Sequence, residues 1–199
     1  AEIGGGINIY HIASQTTLKD VTLSNNSGSF AGGGLDNDGT LVGDGVTFAN
    51  NSGRYGGGLR NDEGIVVLRN ATFSANLSEI GGGLQNDAGQ ATLVHVTFAF
   101  NLSKGAISDS IYHSGLDGSH TLSLQNVVMV HNNVVSEADN CQVANGSTTN
   151  ITSNGHNMAN DDSCPLNQPT DVLNTDPMLD VLADNGGPTL THLPLPDSP

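Results

Sequence analysis

Short strings in which apolar and hydroxyl residues alternate recur along the first half of the chain. Val21-Thr22-Leu23, Val46-Thr47-Phe48, Ala71-Thr72-Phe73 and Val96-Thr97-Phe98 lie 25 residues apart. A period of two is that of a half-buried strand, with the first and third residues inward and the threonine outward. Each string is followed three positions later by an asparagine (Asn26, Asn51, Asn76, Asn101), and a looser fifth copy, Val127-Val128-Met129 with Asn132, comes after a spacing of 31. A second marker runs in phase with the first. Gly4-Gly5-Gly6, Gly32-Gly33-Gly34, Gly56-Gly57-Gly58 and Gly81-Gly82-Gly83 start at spacings of 28, 24 and 25, and the last three lead into Leu35-Asp36-Asn37, Leu59-Arg60-Asn61 and Leu84-Gln85-Asn86.

Segments this short, rich in β-branched residues and punctuated by Gly and Asn, exclude paired helices and predict two or three strands per unit. One such unit cannot bury its own apolar face, whereas a stack of them builds a continuous core. The pattern therefore predicts an all-β protein, a parallel β-helix (solenoid) of about 25 residues per coil, right-handed by the general crossover preference. Neighbouring coils sit about 4.8 Å apart, so equivalent residues stack directly. Leu23, Phe48, Phe73, Phe98 and Met129 are expected to form one internal column, and Leu35, Leu59, Leu84 and Ile107 another. Asn37, Asn61 and Asn86 are expected to form an asparagine ladder at a bend, and Asn26, Asn51, Asn76 and Asn101 a second. Coils fill residues 1–136, with 105–120 a loop insertion carrying Tyr112 and His113; residues 137–199 form the last coil and a cap of the same domain.

Composition narrows the class further. The chain has 199 residues, 26 of them glycine, with no tryptophan and 4% aromatic residues. Five Lys and Arg stand against 20 Asp and Glu, a formal net charge of −15. Such a surface has no basic patch to neutralise phosphates, so nucleic acid is excluded as a partner. No apolar stretch approaches the roughly 20 residues of a membrane span, which predicts no membrane insertion. The sequence opens with no basic segment leading into an apolar core, so any secretory leader is expected to have been removed already.

Gly-Gly-Gly-Leu-x-Asn followed by Thr-Phe-x-x-Asn resembles the repeat of bacterial polymorphic outer-membrane proteins. The last third resembles a narrower group. Asn140-Cys141, Ser153-Asn154-Gly155-His156-Asn157, Asp162-Ser163-Cys164, Asp176-Pro177-Met178-Leu179 and Leu182-Ala183-Asp184-Asn185-Gly186-Gly187-Pro188-Thr189-Leu190-Thr191-His192 occur in that order. This series is similar to the end of the β-helix in choice-of-anchor Q proteins of bacteria. The two resemblances imply a secreted or surface-exposed β-helical passenger or adhesin, and no particular activity.

The cysteines address the compartment separately. Cys141 and Cys164, 23 residues apart, are the only two. An even pair in a loop-rich region of a secreted chain predicts a disulfide, worth about 3 kcal/mol by chain entropy, that staples the cap. Candidate chemistry is sparser. Asp38, Asp62 and Asp87 share one repeat position; stacked at coil spacing they repel, and either Ca²⁺ relieves the repulsion or they splay into solvent as turn residues. No other cofactor is read. A polysaccharide lyase would need a base and positive charge, for which Arg60, Arg69, His95 and Lys104 are the candidates, with Lys19 and Arg69 in one column about Asp44. A pectin-type hydrolase would draw on Asn174-Thr175-Asp176, Asp161-Asp162 and Gly155-His156 as paired acids. The threonine rank at 22, 47, 72 and 97 would suit an ice-binding face. Seven sequons, at Asn25, Asn50, Asn70, Asn76, Asn101, Asn145 and Asn150, follow mostly from the repeat.

The leading expectation is a noncatalytic extracellular module, adhesin-like or structural, assembling end to end into fibres, with Ile3 to Ile12 as the docking edge. Its expected partners are further copies of the chain and a glycan or other cell-surface ligand. The alternative is a β-helix that binds or cleaves a polysaccharide.

Overall fold

The structure, a computed structural model, describes residues 5–105, 107–115, 118–131, 139–144 and 150–199, and the backbone alone at 150. The described residues contain strands and turns and no helix. The first coil contributes β1 (Ile7–Ile9) and β2 (Gln15–Ser24), and the second β3 (Leu35–Asn37) and β4 (Thr40–Ala49). The third holds β5 (Leu59–Asp62), β6 (Ile65–Ser74) and β7 (Leu77–Ser78), and the fourth β8 (Leu84–Asp87), β9 (Gln90–Ala99) and β10 (Leu102–Ser103). The fifth holds β11 (Ile111–Ser114) and β12 (Thr121–Val130), and the last β13 (Cys141–Val143), β14 (Asn150–Ser153) and β15 (Met158–Ala159). All named ladders are parallel. One sheet runs β1-β3-β5-β8-β11-β13, a second β14-β12-β9-β6-β4-β2 with β15 also on β12, and a third is the pair β10-β7. The predicted β-solenoid is thus observed, and its last coil continues both large sheets.

The long strands turn a corner at one residue each. Asp20, Gly45, Asn70, His95, Asn126 and Gly155 have φ of 54°, 64°, 50°, 57°, 53° and 90°. The pairing register skips that position, running Lys19↔Asp44 and then Val21↔Val46. Gly, and among other residues Asn, Asp and His, are the types that enter this left-handed region most readily. The column is therefore chosen for backbone conformation.

Inside, Leu23, Phe48, Phe73, Phe98 and Met129 align in register as expected. The phenylalanine rings are 4.6 Å apart between centroids and within 12° of parallel, because the coil spacing leaves room for one ring thickness and little more. The second column differs from expectation. Leu35, Leu59 and Leu84 are continued by Ile111 and not Ile107. In the fifth coil Ser108-Asp109-Ser110 takes the place of the glycine triplet, its carbonyls accepting the ladder bonds of Gly82, Gly83 and Leu84 while Asp109 and Ser110 donate onward to Asp139 and Asn140. Tyr112 and His113 consequently lie in β11, paired with Gln85 and Asn86, and not in a projecting loop.

Both asparagine ladders form. Asn26, Asn51 and Asn76 each donate from Nδ2 to the next coil's Oδ1 at 3.0, 3.0 and 2.9 Å. Asn51, Asn76 and Asn101 also donate to a carbonyl of the preceding coil, so their amides satisfy turn backbone that water cannot reach. Asn132, expected to extend this column, lies outside the described residues. Asn37 donates to Asn61 at 2.7 Å and Asn61 to Asn86 at 2.6 Å. His113 takes the next rung, its Nδ1 3.0 Å from Asn86 Nδ2. Asn76 and Asn101 are fully buried, so two of the sequons are spent on the ladder.

The predicted disulfide joins Cys141 to Cys164, with Cα atoms 4.9 Å apart. Its sulfurs lie 3.8 and 3.6 Å from Met129 Sδ, so it closes the apolar column whose last strand pairing is Met129 with Ala159. Within this cap, Asp171 accepts hydrogen bonds from Ser153 Oγ, the Gln168 N–H and both the backbone and side-chain N–H of Asn157. Burial opposes its charge, yet these donors hold the carboxyl below its ordinary range.

Beyond the cap, the tail returns over the outer face of the long strands as a narrow antiparallel hairpin, with Leu179 bridged to Pro194 and Ala183 to Thr191. Thr47 Oγ1 donates to the Leu190 carbonyl at 2.8 Å, and His192 Nε2 lies 3.0 Å from Ser74 Oγ. The threonine rank is therefore not an open ice-binding face. Thr47 is fully buried and Thr72 nearly so, while Thr22, beyond the reach of the tail, is exposed.

Candidate binding face

The outward row of the first sheet carries an acid and a base, Asp36 and Arg60, among polar neighbours. Asn8, Asp36, Arg60, Gln85, Tyr112 and Gln142 stand in register across its strands. Arg60 supplies the positive charge. Its Nη2 is 2.6 Å from Asp62 and 4.0 Å from Asp87, and its Nη1 is 3.6 Å from Asp36. The guanidinium also lies 5.6 Å from the Tyr55 ring centre, and Arg54 lies 5.2 Å from it. Planar, weakly hydrated guanidinium groups suit such shared contacts.

Burial governs the acids here. Asp36 is 3% exposed, and desolvation raises its pKa above the ordinary 3.8 against the opposing pull of Arg60. Desolvation likewise raises Asp38 and Asp62, again opposed by Arg60. The Tyr112 phenol is pushed up by burial and by the charge of Asp87. Asp87 accepts a 2.5 Å hydrogen bond from Ser114 Oγ.

Of Asp38, Asp62 and Asp87, read from the sequence as either a Ca²⁺ column or splayed turn residues, two have protein partners. Asp62 turns to Arg60 and Asp87 to Ser114. Among the described residues no group of three His, Cys, Asp or Glu is placed to hold a metal ion. One guanidinium lies within reach of three carboxylates, those of Asp36, Asp62 and Asp87. Sequence reasoning weighed Arg60 only as a lyase residue. The available signal was its position, since it stands in the column where the coils on either side carry Asp36 and Gln85.

The lyase candidates are distributed over three sheets, with Arg69 and His95 on neighbouring strands of the second. Arg60 lies on β5 of the first sheet, Arg69 on β6 of the second, and Lys104 just past β10 of the third. His95 is a corner residue of β9. Lys19, Asp44 and Arg69 do share a column, and Asp44 accepts a 2.7 Å hydrogen bond from Asn70. The hydrolase acids serve the cap. Asp161 accepts from the Asn140 N–H and from Ser163, and Asp176 from the Met178 N–H. Gly155 and His156 are left-handed turn residues.

The turn from the first sheet to the second forms a groove of about 500 Å³ crossing successive coils. A smaller hollow of about 240 Å³ adjoins it, lined by Ile12, Asp38, Asp62 and Glu63. Ile12 and Glu63 line both. Comparison with family models, with curated proteins and with solved structures returns no match to this chain.

Proposed function

We propose that the chain is a noncatalytic extracellular β-helix module, adhesin-like or structural, that adds end to end into surface fibres. The observation that carries this reading is the stack of parallel strands, which among the described residues ends in β1 and β2 on one side and β13 and β14 on the other. At one end β1 and β2 are the outermost strands of their sheets among the described residues, with Tyr10 75%, Ile12 71% and Phe30 61% exposed beside them. At the other end the disulfide covers the apolar column. An unpaired strand edge is a template for another chain, and a head-to-tail contact that does not close propagates as a filament. Of the expected docking edge, Ile3 and Gly4 lie outside the described residues. The disulfide favours an oxidising compartment, and the resemblance to polymorphic outer-membrane and choice-of-anchor Q proteins supports a bacterial surface setting.

Negative-stain electron microscopy of the purified protein, with and without Ca²⁺, tests assembly. Regular fibres are expected, with or without added Ca²⁺. Monomers alone at high concentration would overturn assembly. The polysaccharide-cleaving alternative draws less support, since Arg60 and Lys104 lie away from the second sheet, which carries Arg69 and His95.

A further inference from the structure

The groove between the two large sheets owes its shape to the asparagine ladder beneath it. A Cβ on Gly64 would stand 2.5 Å from Asn37 Nδ2 and 2.6 Å from Asn61 Oδ1. The ladder amides occupy the space a side chain would need, so this turn is glycine and its outer surface is bare backbone. Gly39 is under the same kind of constraint, there from the carbonyl oxygens of His11 and Ser14. The result is a trench along the solenoid axis, from Ile12 in the first coil to His120 before the fifth coil's long strand. At about 4.8 Å per coil it runs close to 20 Å.

Two properties of its walls fix the chemistry. Ile12 and Ile65 are 71% and 44% exposed, large apolar side chains held open to solvent. Beside them stand Asp38, Asp62 and Glu63, with Arg60 engaged on Asp62. Asp38 Oδ1 is buried and has no hydrogen-bond partner, although it belongs to the smaller hollow. A buried acceptor without a donor is uncommon in native proteins and is satisfied when a donor arrives. Apolar surface edged by carboxylates matches one kind of side chain, a long aliphatic stem ending in a cation. The net charge of −15 adds long-range attraction for such a ligand.

We infer that this trench binds an extended, lysine- or arginine-bearing peptide segment along the solenoid axis, with its aliphatic stems on Ile12 and Ile65 and its cationic heads at Asp38, Asp62 and Glu63. The assignment rests on the noncatalytic binding reading and names its ligand class. It does not depend on fibre formation.

The test is fluorescence anisotropy of a labelled oligolysine peptide against the full chain and three variants. Ile12→Ala removes an exposed apolar wall. Glu63→Asn removes a charge at a residue whose φ of 56° Asn accepts readily. Asp162→Asn removes the same charge from an exposed position in the cap. Ile12→Ala and Glu63→Asn are each expected to weaken binding about tenfold, with Asp162→Asn within about twofold of the unaltered chain. No binding, or equal weakening in Glu63→Asn and Asp162→Asn, would overturn the trench in favour of no site or diffuse attraction. Tighter binding of an amino-sugar oligosaccharide than of the peptide would overturn the ligand class. Mass spectrometry of the recovered peptide and oligosaccharide keeps the two readings apart, because intact probes support the noncatalytic premise and a cleaved one overturns it whatever the variants do.

Discussion

His113 stands where three coils carry asparagine, and that single exchange makes the ladder sensitive to acid. Burial holds its imidazole below the ordinary 6.5, with the Asn86 backbone hydrogen bond opposing. When the folded pKa lies below the unfolded one, the unfolded chain takes the proton first as pH falls. Stability is therefore full above about pH 6.5 and declines below it. His192, also lowered by burial, acts in the same direction. Asp36, Asp38 and Asp62, raised by burial, act oppositely and are common to the unaltered chain and to a His113→Asn variant. Replacing His113→Asn is expected to restore the amide rung and flatten the decline in Tm between about pH 7 and 5. An unchanged slope in thermal melts across that range would assign the decline to His192 instead. The asparagine positions were legible in the sequence because they recur. The histidine rung was not, because reading Ile107 as the successor of Leu84 threw the column out of register. Ser108-Asp109-Ser110 carries the backbone course of the triplet without its glycines, so the periodic marker vanished while the coil persisted.

At the scale of the element, the tail hairpin is the part of the fold the sequence could not place. Its residues do not repeat, so no column marks what they cover, and the threonine rank read as open because alternation alone decides inward from outward. The structure adds a second layer. His192 is the main contact, its Nδ1 2.6 Å from the Asp180 carbonyl, its Nε2 at Ser74 and its ring edge-on to Phe100 at 5.6 Å. Replacing His192→Ala is expected to cost about 1 kcal/mol in urea unfolding, the worth of a net hydrogen bond. It should also speed hydrogen exchange at the Ala183 and Thr191 amides, which bond to each other's carbonyls. Exchange in β6 and β9 should stay slow, since those amides belong to the coil ladders. Faster exchange throughout would show that the tail holds the coils and does not merely lie on them.

For the molecule as a whole, stability is summed coil by coil, and the closing element is the disulfide. Serine at Cys141 and Cys164 together is expected to lower unfolding stability by about 3 kcal/mol, the chain-entropy value for a loop of this length. Urea unfolding monitored by far-ultraviolet circular dichroism would measure it, and reductant on the unaltered chain should reproduce the loss. A loss well below that value would mean that the Asp171 hydrogen bonds hold the cap without the bridge. The pairing could be read from two cysteines, and so could the coil length and the phenylalanine column. The corner column of Asp20, Gly45, Asn70, His95, Asn126 and Gly155 escaped notice for a different reason. Its members share a backbone conformation and neither size nor polarity, so no hydropathy pattern reveals it.

The rungs also bear on how the chain can change its length over generations. Asn51, Asn76 and Asn101 lie 25 residues apart and are joined through identical contacts, and Phe48, Phe73 and Phe98 meet their neighbours in the same way. A gene that lost or doubled one such unit would present the same atoms on both sides of the splice, and the stack would heal. The third unit is the exception. It alone carries Arg60, so its loss would leave the acids of the adjoining units with no guanidinium between them. The architecture thus permits growth and shortening in whole steps while tying one step to the electrostatics of its neighbours.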